Sequence, residues 1–128
     1  SDASPQALYE HVAAFLGSLD LAYVHTIEGS TGAARDFQQG DVPFDYAALK
    51  KAYQNAGGKG AWMLNNGYDR DLADAAVSSS ADLIAFGKAF IANPDLALRL
   101  QQKGPYNTPD RTTFYGGQEK GYTDYPFL

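Results

Sequence analysis

Cysteine is absent from the 128 residues. That excludes a disulfide framework and a thiolate metal site, and it gives no sign of an oxidising compartment. Histidine occurs only as His11 and His25, too far apart and on different expected elements for a metal-ligand spacing. No apolar run approaches the length of a membrane span. The opening Ser1-Asp2-Ala3-Ser4-Pro5 has neither a basic n-region nor an apolar stretch, so a soluble, unexported, cytoplasmic protein is expected. Basic side chains are also few. Ten Lys and Arg stand against fifteen Asp and Glu, a formal charge of −5, which repels a polyphosphate backbone and speaks against nucleic acid as a partner.

What the chain does have is apolar residues, 45% of the total, enough for the core of one domain-sized unit. Ser4-Pro5 reads as a cap followed by proline at the first helical position. Leu8, Val12, Phe15, Leu16 and Leu19 then recur at spacings of three and four, which predicts an amphipathic helix to about Leu19. Leu21 to Ile27 is a short, mostly apolar run suited to a strand buried on both faces. The stretch from Glu28 to Pro43, with Gly29, Gly32 and Gly40, is a loop long enough to suggest function.

From Asp45, the positions Tyr46, Leu49, Lys50 and Tyr53 predict a second helix, which Gly57-Gly58 should stop by supplying positive φ. Ala61-Trp62-Met63-Leu64 is a second apolar strand. Asp69 then caps a third helix with Leu72, Ala76 and Val77 inward, and Asp82 to Phe86 is a third strand closed by Gly87-Lys88. Asn93-Pro94-Asp95 repeats the cap-then-proline pattern before Leu96, Leu98 and Leu100. Short apolar strands separated by helices, at the spacing of βαβ units, imply an α/β fold with a parallel sheet in the order of the sequence. Residues 1–103 carry these elements, and residues 104–128 are an aromatic C-terminal tail without period. Three parallel strands leave two open edges, so further chain, a second copy or a partner is expected to complete the sheet.

Two glycine-bearing turns, Asn65-Asn66-Gly67-Tyr68-Asp69 and Phe86-Gly87-Lys88, follow successive strands and lead toward helices. Backbone N–H groups at such places can hold an anion. In a β/α barrel the loops after the last two strands commonly form a phosphate site, and Lys88 would add a cationic donor. The same turns can equally be ordinary strand-to-helix connections with a solvated lysine. His11 falls on the exposed side of the first helix. His25, near a strand's C-terminal end, reads as a structural imidazole before a catalytic one. Glu28 and Asp36 could serve as acid and base, but carboxylates in a polar loop are usually just solvated. The aromatic tail favours packing over a ligand-lining tyrosine by spacing alone.

These residues resemble a known family. Ala85-Phe86-Gly87-Lys88-Ala89-Phe90-Ile91-Ala92-Asn93-Pro94-Asp95-Leu96 is similar to the last-strand segment of old yellow enzymes, of the N-ethylmaleimide reductase and 12-oxophytodienoate reductase kind. Asn65-Asn66-Gly67-Tyr68 is similar to the preceding phosphate turn, and Thr113 to Gly117 with Gly121 to Pro126 to the C-terminal signature. The resemblance runs from about Leu8 to the end and corresponds to the C-terminal third of such an enzyme. It implies the last three βα units of a (β/α)8 TIM barrel, incomplete alone.

It also implies FMN as cofactor, NADH or NADPH as reductant, and activated alkenes as substrates. By resemblance Asn65, Asn66, Gly67, Gly87 and Lys88 would grip the FMN phosphate, Phe86 would sit beside the flavin, and Tyr122 would line the substrate side. The family's substrate-polarising pair, proton-donating tyrosine and flavin-side arginine belong to earlier strands, so no catalytic residue is expected on this chain and no activity from it alone. Two departures stand out: family members often have glycine where Asn66 stands and arginine where Lys88 stands. Lysine keeps the charge but loses the bidentate fork. The alternative from another class is a non-catalytic part-barrel that self-associates.

Overall fold

A computed structural model describes residues 4–29, 42–116 and 118–128. The expected functional loop, with Gly32, Asp36 and Gly40, lies mostly outside these residues. The chain divides into two compact units, Ser1–Ala85 and Phe86–Leu128.

The first unit runs α1 (Pro5–Gly17), β1 (Tyr23–Ile27), α2 (Tyr46–Asn55), β2 (Ala61–Asn65), α3 (Arg70–Val77) and β3 (Leu83–Ala85). The strands form one sheet in the order β1-β2-β3, all parallel, as the βαβ spacing requires. Register sets Val24 opposite Trp62 and Thr26 opposite Leu64, and Asn65 pairs with Ala85 at the strands' C-terminal ends. Alternation along β2 then defines two faces. Trp62 and Leu64 are buried among the helices with Leu49, Tyr53, Ala73 and Ala76.

Tyr53 is the centre of this core. Its ring lies 5.6 Å from that of Trp62, its hydroxyl accepts from the Gly60 N–H at 2.9 Å, and Gly58 is the residue its ring crowds. The helix stops are legible: Asp45 accepts from the Ala48 N–H at 3.0 Å and Asp69 from the Leu72 N–H at 2.9 Å, and Gly57 takes φ +100°.

The two-face burial expected of the first strand is not what the structure shows. Tyr23, His25 and Ile27 are exposed on the face of β1 away from the helices, and Leu83 is exposed on the same side of β3. The inward residues of two helices also differ from expectation. In α1 the buried residues facing α2 are small, Ala13 and Gly17, while Leu8, Val12 and Phe15, and Leu19 just past the helix, stay exposed. In α3, Ala73 and Ala76 are buried, and Leu72 and Val77 are not. Close helix approach selects small residues. A Cβ on Gly17 would fall 2.2 Å from the Tyr53 carbonyl oxygen.

The second unit holds α4 (Lys88–Ala92), α5 (Leu96–Gln102) and a single 3-10 turn at Arg111–Thr113. Ala92, Asn93, Leu96 and Arg99 are its buried residues in and around the two helices. α4 was not foreseen, and it changes the reading of Asn93. That side chain does not cap α5: its amide donates to the Ala89 carbonyl at 2.8 Å, and its oxygen accepts from the Asn107 N–H at 2.7 Å. Among the described residues no helix is long and apolar enough to cross a membrane, and no group of His, Asp or Glu could hold a metal ion.

Candidate functional site

The turn after β2 is the better-defined part of the expected site. Asn65 ends the strand, and its side-chain oxygen accepts from the Asn66 N–H at 2.6 Å. Asn66 takes φ +101° and Gly67 φ +70°, two successive residues in the left-handed half of the map, where glycine is at ease and an asparagine is tolerated. What keeps Asn66 there is Glu28. The Asn66 amide donates to the Glu28 carbonyl at 2.5 Å, the Glu28 N–H donates to the Asn65 carbonyl at 3.1 Å, and the buried Tyr68 hydroxyl donates to the Glu28 carboxylate. Glu28 therefore ties the end of β1 to the whole turn. The Gly29 N–H donates to the Tyr46 hydroxyl at 2.6 Å, which continues the tie into α2. As a free acid or base Glu28 is poorly placed, because its carboxylate is already a structural acceptor.

Gly87 and Lys88 open the second unit. Both are exposed, and a Cβ on Gly87 would meet nothing within 4 Å. Packing does not demand a glycine there; open space at the backbone suits a ligand that comes close. The first N–H groups of α4 have no intrahelical acceptor by construction, and the Gly87 carbonyl takes the Phe90 and Ile91 N–H groups at 2.9 and 3.1 Å. Phe86 is half-buried. A phosphate fits this donor set: backbone N–H groups, an unobstructed glycine and an exposed lysine.

Tyr122 is exposed in the C-terminal segment, next to the buried Gly121 at φ +72°. A Cβ on Gly121 would lie 1.9 Å from the Thr113 hydroxyl. The Gly121 N–H donates to Asp124 at 2.6 Å, and the Tyr122 and Thr123 N–H groups donate to the Glu119 carbonyl at 3.1 and 3.0 Å. The tyrosine thus projects from a closed turn. His25 sits exposed on the open face of β1, and His11 is exposed on α1.

Sequence reasoning passed over Arg99. It is 2% exposed, and its Nε donates to Asp95 at 2.6 Å while its two terminal nitrogens donate to the Pro105 and Pro126 carbonyls at 2.8 Å each. The one available signal was the spacing Asp95 to Arg99, an i,i+4 pair of opposite charge. Burial of the Asp95 carboxyl works to raise its pKa, but hydrogen bonds from the Arg99 side chain and the Leu128 N–H, with the guanidinium charge, hold it below the ordinary range. Asp110 is likewise held low, first by the Thr112 hydroxyl and then by the Thr112 N–H.

Known proteins are similar to this chain along its whole length. A rice (Oryza sativa subsp. japonica) protein named as a 12-oxophytodienoate reductase is 39% identical over 132 residues, covering 99% of this chain and 40% of the relative. Morphinone reductase superposes with a TM-score of 0.80 at 38% identity, over 100% of this chain and 32% of that one. Throughout its length this chain is similar to the C-terminal part of old yellow enzymes. The old yellow enzyme of Trypanosoma cruzi agrees, with a TM-score of 0.77 and 35% identity over 99% of this chain and 31% of that one. No protein-family model matches the chain. The chain spans about a third of the length of these relatives and corresponds to their C-terminal part. The fold is accordingly the last three βα units of a TIM barrel, an unclosed sheet.

Proposed function

We propose that this chain supplies the phosphate-gripping end of an FMN site in an NAD(P)H-dependent reductase of activated C=C bonds, a function that needs the strands preceding β1 in the family's barrel. FMN would supply the hydride chemistry, and the chain's own residues would supply grip and orientation. The turn Asn65-Asn66-Gly67 offers backbone at the end of β2, held by Glu28. Gly87 and Lys88 offer close approach and a positive charge. Phe86 is assigned to the flavin's flank, and Tyr122 to the alkene. Catalytic groups are assigned to the absent strands, so the chain alone is expected to reduce nothing.

The observation that carries this reading is the turn after β2, with two successive positive-φ residues braced by Glu28, in a chain matched throughout by old yellow enzyme relatives. Flavin titration of the completed barrel tests it. Lys88→Ala should lower FMN affinity roughly 10- to 100-fold, the effect of about 1.5–3 kcal/mol for a hydrogen bond to a charged group. It should leave folding intact, because Lys88 is exposed. Lys88→Arg should keep or improve affinity, since a guanidinium fork suits phosphate. Unchanged FMN affinity in Lys88→Ala removes Lys88 from the site. A completed barrel that binds no flavin in any form would instead support a structural part-barrel.

A further inference from the structure

The C-terminal segment, residues 104–128, has almost no regular secondary structure, so side-chain bonds must define its path. Those bonds converge on α5. Arg99 reaches the segment at both ends, at Pro105 and at Pro126. Asp95 holds one carboxylate oxygen toward Arg99 and the other toward the Leu128 N–H, at 2.7 Å. Asn107 donates to the same Pro126 carbonyl and to that of Ala92, both at 2.8 Å.

From Pro126 the connections continue inward. The adjacent Tyr125 hydroxyl accepts from the Asp110 N–H at 2.8 Å, the Thr113 hydroxyl donates to the Asp110 carbonyl at 2.9 Å, and Gly121 packs against Thr113. Tyr122 stands at the end of this chain of contacts. A buried ion pair is weak evidence for stability, because desolvation offsets its attraction. Its best-attested use is to specify one arrangement among several. A planar guanidinium with donors in a fixed fork suits that use where a lysine does not.

We propose that Arg99 is a positioning residue: by spanning Pro105 and Pro126 with Asp95 behind it, it locks residues 104–128 in one path and so fixes the turn that presents Tyr122. Only the consequence for a bound alkene rests on the flavin reading above. The lock belongs to this chain's own residues and is measured without flavin, so the two can fail separately.

The test is amide hydrogen exchange on the full chain, together with any chain that co-purifies, in the parent, Arg99→Ala and Arg99→Lys. In Arg99→Ala the amides of Asn107 and Leu128 should exchange faster, and those of Gly121, Tyr122 and Thr123, which Arg99 does not touch, should accelerate on the order of ten- to a hundredfold. Amides of β1 to β3 should keep their protection. Arg99→Lys, which keeps a charge opposite Asp95 but cannot span both carbonyls, should fall between Arg99→Ala and the parent. If Arg99→Ala fails to fold, Arg99→Lys carries the test at smaller amplitude. Unchanged exchange at 121–123 in the variant that folds overturns the proposal, because Arg99 then pins only the ends of the segment. An Arg99→Lys variant indistinguishable from the parent overturns it too, because the fork is then not needed.

Discussion

Asn66 offers a way to measure the backbone conformation on which the β2 turn depends. It holds φ +101°, and its side-chain amide donates to the Glu28 carbonyl. Asn66→Gly and Asn66→Ala both delete that bond, at about 0.5–1.5 kcal/mol. They differ in what the backbone then pays. Alanine at left-handed φ bears the Cβ penalty of about 1–2 kcal/mol in full, and asparagine already bears part of it. Glycine removes the penalty but carries about 0.5–1 kcal/mol of extra unfolded-state entropy.

Asn66→Ala should therefore be less stable than the parent by about 1.5–3 kcal/mol, and Asn66→Gly should lie within about 1 kcal/mol of it. The lost bond is common to both variants, so the gap between them is alanine's penalty less glycine's entropy cost, on the order of 0.5–1 kcal/mol in favour of glycine. Urea unfolding of the three forms, with any completing chain present at equal concentration, reads the gap directly. An alanine form more stable than the glycine form would refute the reasoning, since only glycine's entropy cost, and no penalty on positive φ, would then be in force at position 66. Asn66→Gly also restores the residue the family often carries there, so in a completed barrel it should not weaken FMN.

Gly17→Ala should destabilise the chain by about 1–3 kcal/mol, because the added Cβ meets backbone that cannot swing aside, 2.2 Å from the Tyr53 carbonyl oxygen and 2.9 Å from the Ala56 Cβ; an unchanged melting temperature would show that α1 and α2 are further apart. Acid should open the C-terminal segment at low pH only. Asp95 and Asp110 are both held below the ordinary carboxylate value, so their contribution is complete above the unfolded pKa and is lost as pH falls through the lower folded value, below about pH 4. Amide exchange at Leu128 and Thr112 against pH checks this, and opening between pH 7 and 5 would contradict it.

The fold was legible because the strands are short, apolar and separated by capped helices. Asp45, Asp69 and Gly57 do what their residue types dictate. Which helix faces pack was not legible, because periodicity marks apolar residues and not their partners. The stripe of α1 was read correctly as a stripe, but it is the small residues beside it that meet α2. The turn after β2 could be expected from its glycine and its place after a strand, yet Glu28's part in it could not, since it depends on β1 and β2 lying side by side and joins Glu28 to Asn66, 38 residues apart. Arg99 was missed for a similar reason. A lone arginine in a leucine-rich helix looks like a surface charge until proline carbonyls from a segment without periodicity are seen to cover it.

The exposed apolar residues of the first unit carry the last step of argument. α1 has two different faces: a seam of Ala13 and Gly17 against α2, and a stripe at helical spacing, Leu8, Val12 and Phe15, continued past the helix end by Leu19, with Phe15 61% exposed. Among the described residues β1 has a strand on one side only, and it shows Tyr23 and Ile27 on the face away from the helices. A helix that evolved to lie against water would not space large apolar residues three and four apart, and parallel sheets are stable where both faces and both edges are covered. The pattern in the sequence is that of a buried helix and a buried strand, while the structure of this third alone leaves both open. Relatives about three times as long share the segment at similar fold. The uncovered stripe and the open strand edge are therefore the surfaces against which the rest of a barrel would close.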